Sequence, residues 1–267
     1  MMARITRHYI DGRFGQIHYR QAQPNSLSNK PALLLFHMSP YSGVIFENLL
    51  ATLGHDRLVI AVDTPGFGNS DAPPSAPDIS DYAGTMGDLM DGLKLRSVDV
   101  MGYHTGSMIA LELCLQRPDQ IRKIVMVSAA IFTDDELAEH RRTFAETTPT
   151  ADGAHVAKWW QSAVRWSMQG RTLLQIGQTF HARTMNPAIS WWGHHAAFNY
   201  STADALDKIS HPILILNPED DLWTFTPRAK PHLKNGRIHD LPGWAHGFLD
   251  VKTAETAAIL QTFLDVT

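Results

Sequence analysis

The chain has 267 residues, 44% hydrophobic and 19% charged, with a formal charge of −4, and its length allows one large α/β core with or without an inserted lid. No basic cluster occurs, which excludes an electrostatic footprint for nucleic acid. The one cysteine, Cys114, can form no internal disulfide; within "MIALELCL" it reads as a packed core thiol and suits a cytoplasmic setting.

The opening "MMARITRHYIDGRFG" lacks the apolar region of a secretory leader. "ARITRHYI" and "GQIHYRQA", joined through "DGRFG", predict an antiparallel hairpin. Short apolar runs follow at 31–37, 57–63, 97–103, 122–129, 212–217 and 236–242. Most are continuous rather than alternating, as strands covered on both faces are, so the expected sheet is mostly parallel. Helical patterns stand between them: "YSGVIFENLLATL", "DYAGTMGDLMDGL", "TGSMIALELCLQR" and finally "TAETAAILQTFLD". Strand alternating with helix predicts an α/β fold with helices on both faces of a twisted sheet. The stretch 131–207 breaks the alternation with amphipathic helical pieces and holds five of the seven tryptophans: Trp159, Trp160, Trp166, Trp191 and Trp192. It is expected to be a helical cap over the strand ends, with the core formed by 1–130 and 208–267. Ligands bind at the carboxyl ends of such strands, so the cap would roof the site. No run approaches the ~18 apolar residues of a membrane span.

Four segments carry a resemblance: "HMSP" (37–40), "DTPGFGNSD" (63–71), "GYHTG" (102–106), and "NPEDDLW" (217–223) with "PGWAHGF" (242–248). In this order they resemble the oxyanion loop, the loop after the fourth strand, the nucleophile elbow, and the acid and histidine loops of the α/β-hydrolase superfamily. The resemblance covers essentially the whole chain. It implies a residue with positive φ at the elbow tip, flanked two positions away by glycines, here Gly102 and Gly106. Where the family carries serine, the tip is His104, and histidine tolerates positive φ better than most residues.

By the same resemblance His246 is the catalytic base and Asp221 its orienting acid, with Asp220 as the alternative. The Thr105 amide at a helix start and an amide of Met38 or Ser39 would form the oxyanion hole. His37, Trp159, Trp192 and Trp223 are expected at the substrate. Ser107 should face away from the pocket. His37, His104 and His246 together could hold zinc with an open fourth position. The family's oxyanion-loop histidine turns into the fold, however, so neither metal nor other cofactor is expected.

Two chemistries suit an imidazole at the tip. Neutral imidazole can attack a carbonyl directly, since its unperturbed pKa is about 6.5. Alternatively, His104 and His246 work as general base and acid without a covalent intermediate. The expected function is hydrolysis of an ester, thioester or carbon–carbon bond in a small apolar or aromatic molecule. A lyase using the same histidine pair and a non-catalytic ligand-binding protein are the alternatives. The expected partner is a small-molecule substrate, with no membrane or nucleic-acid role; a homodimer remains open.

Overall fold

A computed structural model describes residues 3–145 and 149–266; residues 146–148 of the expected cap lie outside it. Strands β1 (Ile5–Gly12) and β2 (Gly15–Ala22) form the antiparallel hairpin, and β2 pairs antiparallel with β4 (Val59–Val62). The remaining strands are β3 (Ala32–Phe36), β5 (Val98–Tyr103), β6 (Ile121–Val127), β7 (Ile213–Pro218) and β8 (Gly236–Leu241). Their order across the sheet is β1-β2-β4-β3-β5-β6-β7-β8, parallel from β4 onward.

The two-residue period of each strand divides the core. Leu34, Phe36, Val100 and Met126 pack under α2 (Ile79–Gly92) and α3 (Thr105–Gln116), given α1 (Glu47–Leu53) earlier in the chain. Leu33, Leu35, Met101 and Tyr103 face the other way, toward α1 and the C-terminal helix. Every residue of β3, β4 and β5 is buried, which is why β3 and β4 read as unbroken apolar runs; in β5 the one charge, Asp99, is paired with Arg122.

Between β6 and β7 lie α4 (Asp134–Thr143), α5 (Ala154–Arg165), α6 (Leu173–Thr184), α7 (Trp192–Ala197) and α8 (Thr202–Lys208). Helices α4 and α6 open with reciprocal capping boxes, Thr133 with Glu136 and Thr172 with Gln175. Neither α4 nor α5 buries a residue fully. Ala205 and Leu206 of α8 belong to the same apolar cluster as α3 and the sheet, as do Ala196 and Ala197 of α7. The chain ends with α9 (Phe248–Val251) and α10 (Thr253–Leu264). No helix among the described residues is long and apolar enough to cross a membrane.

The loop after β4 is fixed by Asp63, whose side chain is fully buried. It meets His18 Nδ1 at 2.8 Å and Arg20 at 3.0 Å, and accepts the amides of Gly43 (2.8 Å) and Asn69 (3.0 Å). A buried carboxylate requires this many partners to remain charged.

Candidate active site

The elbow forms where β5 meets α3. His104 at its tip has φ +49° and ψ −109°, and the space for that bend comes from its glycines. A Cβ on Gly102 would lie 2.0 Å from the Gly106 carbonyl oxygen, and one on Gly106 would lie 2.0 Å from that of Phe36. Strand and helix backbones therefore touch, and no side chain fits between them. Ser107 donates its hydroxyl to the carbonyls of Gly102 (2.9 Å) and Val127 (3.2 Å), so it faces the fold as the sequence predicts.

Over the elbow, α4–α7 enclose a cavity of about 390 Å³. His104, Asp221 and His246 line its floor, with Met38, Ser39 and Thr105 beside them. No acceptor among the described residues takes the backbone N–H of Thr105 or Met38. Two amides at the mouth of α3, helped by its positive end, suit a developing oxyanion. The roof is aromatic, with Phe132, His140, Phe144, His194 and Phe198 in mutual ring contact. Burial, reinforced by the Arg183 charge, pushes the His194 pKa down to about 3, so His194 is a neutral ring at ordinary pH.

Two histidine–aspartate pairs stand on the floor. His104 Nε2 lies 2.8 Å from Asp220 Oδ2, and Asp220 is held in turn by the Ser128 hydroxyl (2.9 Å) and the Leu222 amide (2.9 Å). The Asp220 side chain is 0% exposed, so this carboxylate is spent wholly on orienting its neighbours. Burial acts to lower the His104 pKa, but the Asp220 charge and hydrogen bond outweigh it, and the net shift is upward. His246 Nε2 lies 2.7 Å from Asp221 Oδ1, while its Nδ1 lies 3.1 Å from the Tyr103 hydroxyl. Burial opposes charge on Asp221, yet His246 and His104 hold its pKa below the usual carboxylate range. Burial, then the charges of Asp220 and Asp221, keep Tyr103 a neutral phenol. Its O–H therefore donates to His246 Nδ1 and His246 Nε2–H donates to Asp221, which fixes the tautomer. Both nitrogens of His246 are thus engaged, whereas His104 Nδ1 has no partner among the described residues. The two rings are 5.3 Å apart between centroids, edge to face.

This differs from the expected division of labour in one respect. The adjacent acids of "PEDD" serve both imidazoles, Asp221 taking His246 and Asp220 taking His104. Tyr103, missed in the sequence, closes the second pair; its position at the buried end of β5, beside the tip, was the available signal.

The expected substrate contacts fare less well. His37 is 1% exposed; its Nε2 accepts the Thr64 amide at 3.0 Å and its Nδ1 donates to the Met38 carbonyl at 2.9 Å. It braces the oxyanion loop and does not line the cavity, and the His37–His104–His246 zinc set is not assembled. Trp159, Trp192 and Trp223 also lie off the cavity wall. Trp159 packs beneath the Arg183 guanidinium and against His155, Trp192 stands beside the loop at Gly66, and Trp223 sits in the turn just after the paired acids. Trp166 is the tryptophan that reaches the cavity.

His104, Asp220, Asp221 and His246 each bring a donor atom within 4.8 Å of the others. Two imidazoles and two carboxylates are a donor set that zinc or ferrous iron accepts. Within the group His104 pairs with Asp220 and His246 with Asp221, so the four residues also stand as two acid–base pairs.

Residues 31–235 match the model of a family described as the alpha/beta hydrolase fold. An uncharacterized protein of Mycobacterium tuberculosis is 32% identical over 105 residues, 39% of this chain and 31% of that protein. Epoxide hydrolase 2 of Siraitia grosvenorii is 34% identical over 108 residues, 39% of this chain and 34% of that protein. Each of these matches thus spans about a third of the relative's length. Among solved structures, the enol-lactonase of Burkholderia xenovorans superposes with a TM-score of 0.81 at 17% identity, covering 97% of this chain and all of that one. The family match takes in more than half of the chain, and with it the elbow, the acid loop and the inserted helices: the protein belongs to the α/β-hydrolase fold family.

Proposed function

We propose that this α/β-hydrolase-family enzyme hydrolyses an ester or lactone of a small organic molecule, with His104 as general base on water. The observation that carries the reading is the buried Asp220 carboxylate, 2.8 Å from His104 Nε2, which leaves Nδ1 as the free basic nitrogen of the site. In this scheme His104 Nδ1 removes a proton from water as the oxygen adds to the carbonyl. The oxyanion is received by the amides of Thr105 and Met38, or of Ser39. As the tetrahedral adduct collapses, the His104 imidazolium returns its proton to the leaving alkoxide, giving acid and alcohol. Asp220 stabilises the imidazolium between those steps, as the carboxylate of an acid–histidine pair does. His246, closed between Tyr103 and Asp221, supplies a second polarised N–H network at the floor rather than the primary base. The hydrolase relatives and the enol-lactonase neighbour support the reaction class, and the aromatic roof supports an apolar or aromatic substrate body.

The test is turnover of p-nitrophenyl acetate and butyrate. His104→Ala should lower kcat/KM by about 10²- to 10⁴-fold, the usual worth of a positioned base. Undiminished turnover in His104→Ala overturns the assignment. Rapid-quench mass spectrometry separates the two chemistries of the tip: an acyl adduct on His104 during turnover means direct attack, and its absence fits base catalysis. Tight binding without turnover in the wild type would instead establish a ligand-binding protein.

A further inference from the structure

Two arginines line the cavity, and they are treated oppositely by their surroundings. Arg171 is neutralised: its Nε donates to Asp250 at 2.6 Å and its Nη2 to Thr179 at 2.7 Å. Arg183, from α6 of the lid, has no carboxylate within ion-pair distance among the described residues. Its Nε is fully buried and lacks a hydrogen-bond acceptor. The guanidinium lies over the Trp159 ring, 5.2 Å from its centroid, which holds the plane without discharging it. Burial pulls the Arg183 pKa down, and Tyr41 beside it pulls it partly back.

The cavity's carboxylates are all committed elsewhere. Asp221 serves His246, Asp250 serves Arg171, and Glu139 is paired with Arg142 at the outer edge of the lid. Arg183 and the His104–Asp221 floor both act on the neutral His194 ring, which places the guanidinium and the elbow around one cavity. A desolvated guanidinium whose Nε has no acceptor is costly unless something anionic completes it. Its planar fork fits a carboxylate in two-point contact.

We propose that Arg183 anchors a carboxylate carried by the substrate, so that the bond cleaved at His104 belongs to an ester or lactone of an organic acid with an apolar or aromatic body. This rests on the hydrolytic reading of the site. The carboxylate takes the buried Arg183 donors, the body packs under Phe144 and Phe198, and the scissile carbonyl is left over the elbow. The anion is bound and released unchanged; its role is to position.

The test compares p-nitrophenyl hydrogen glutarate with its methyl ester, which differ in one charge. Wild-type kcat/KM should favour the anionic ester by about 10- to 100-fold, the selectivity of one charge-assisted contact. Arg183→Met should collapse that ratio to near one, and Arg183→Lys should restore part of it. In parallel, phenylacetate should raise the melting temperature of the wild type more than phenylacetamide does, and Arg183→Met should erase the difference. Equal hydrolysis of both esters by the wild type overturns the anchor and leaves the hydrolase standing. Stabilisation by phenylacetate that depends on Arg183, with neither ester cleaved, keeps the anchor and overturns the hydrolase. Should Arg183→Met fail to fold, the wild-type ester ratio and the phenylacetate–phenylacetamide comparison decide alone.

Discussion

Replacing Asp220 by asparagine removes one charge and almost no volume, so its consequences separate orientation from packing. Three donors converge on that carboxylate: His104 Nε2–H, the Ser128 hydroxyl and the Leu222 amide. The asparagine oxygen can keep the Leu222 bond, but its NH₂ then faces His104 and Ser128. The hydroxyl can rotate to accept. His104 can accept only by moving its proton from Nε2 to Nδ1, which turns the free nitrogen of the cavity into a donor. The fold therefore loses little, about 1–2 kcal/mol, while the base loses its lone pair at the reacting point. Turnover should fall by about 10²- to 10⁴-fold.

The pH dependence carries a sign. In the wild type the folded-state pKa of His104 is raised, so its pairing with Asp220 stabilises the fold fully below the unfolded value of about 6.5. That stabilisation is lost as pH rises through the folded pKa, over the same interval in which the neutral, active base appears. With Asp220→Asn burial prevails, so the acid limb of kcat/KM should move down by about one to two pH units, the equivalent of one hydrogen bond to a charged group. Urea unfolding in acid and in mildly alkaline buffer should show the largest gap between the two proteins at the acid end. Full turnover in Asp220→Asn with an unmoved acid limb would falsify the role given to this pair.

Two further outcomes test the surrounding structure. Tyr103→Phe removes the donor to His246 Nδ1, and because His104 keeps its own acid, kcat should fall by less than about 10-fold; nitrogen NMR of the imidazoles should show the His246 tautomer released, and a fixed tautomer would sink the Tyr103 assignment. Gly102→Ala places a methyl 2.0 Å from the Gly106 carbonyl oxygen, so unfolding titrations should report a loss of about 3 kcal/mol or more; tolerance of alanine there would mean the elbow bends differently.

The fold was legible because its signals are local and redundant. The runs of β3 and β4 are apolar at every position since both faces are covered, and Gly102 and Gly106 mark a place where strand and helix backbones meet. The site was legible only as far as backbone position determines it. His104, His246, Thr105 and Met38 could be placed on their loops from order along the chain. Which acid served which imidazole could not, because Asp220 and Asp221 are neighbours whose side chains diverge, and the choice depends on Ser128 and Leu222 as partners. Trp159, Trp192 and Trp223 were drawn to the substrate by residue type alone. Their true surroundings, and the exposure of Arg183 to the cavity, follow from how amphipathic lid helices dock, and periodicity says which face is buried without saying against what.

The two imidazoles differ also in what holds their backbones. His104 is rooted in the core: its amide donates to Val127 of β6 at 3.0 Å, and its carbonyl starts α3. His246 is stitched to the lid instead. The Met168 amide donates to the His246 carbonyl at 2.7 Å, Ser167 bridges to it, and Arg171 ties the same stretch to Asp250 just beyond. The segment between α5 and α6 is therefore tied to the His246 loop, while the His104–Asp220 pair is held by the core. A proton-transferring group works only while its geometry is held, so a base is best served by a fixed element. On the function proposed above, the base thus stands on an element held by the core, and a change confined to the α5–α6 segment leaves its pairing with Asp220 intact.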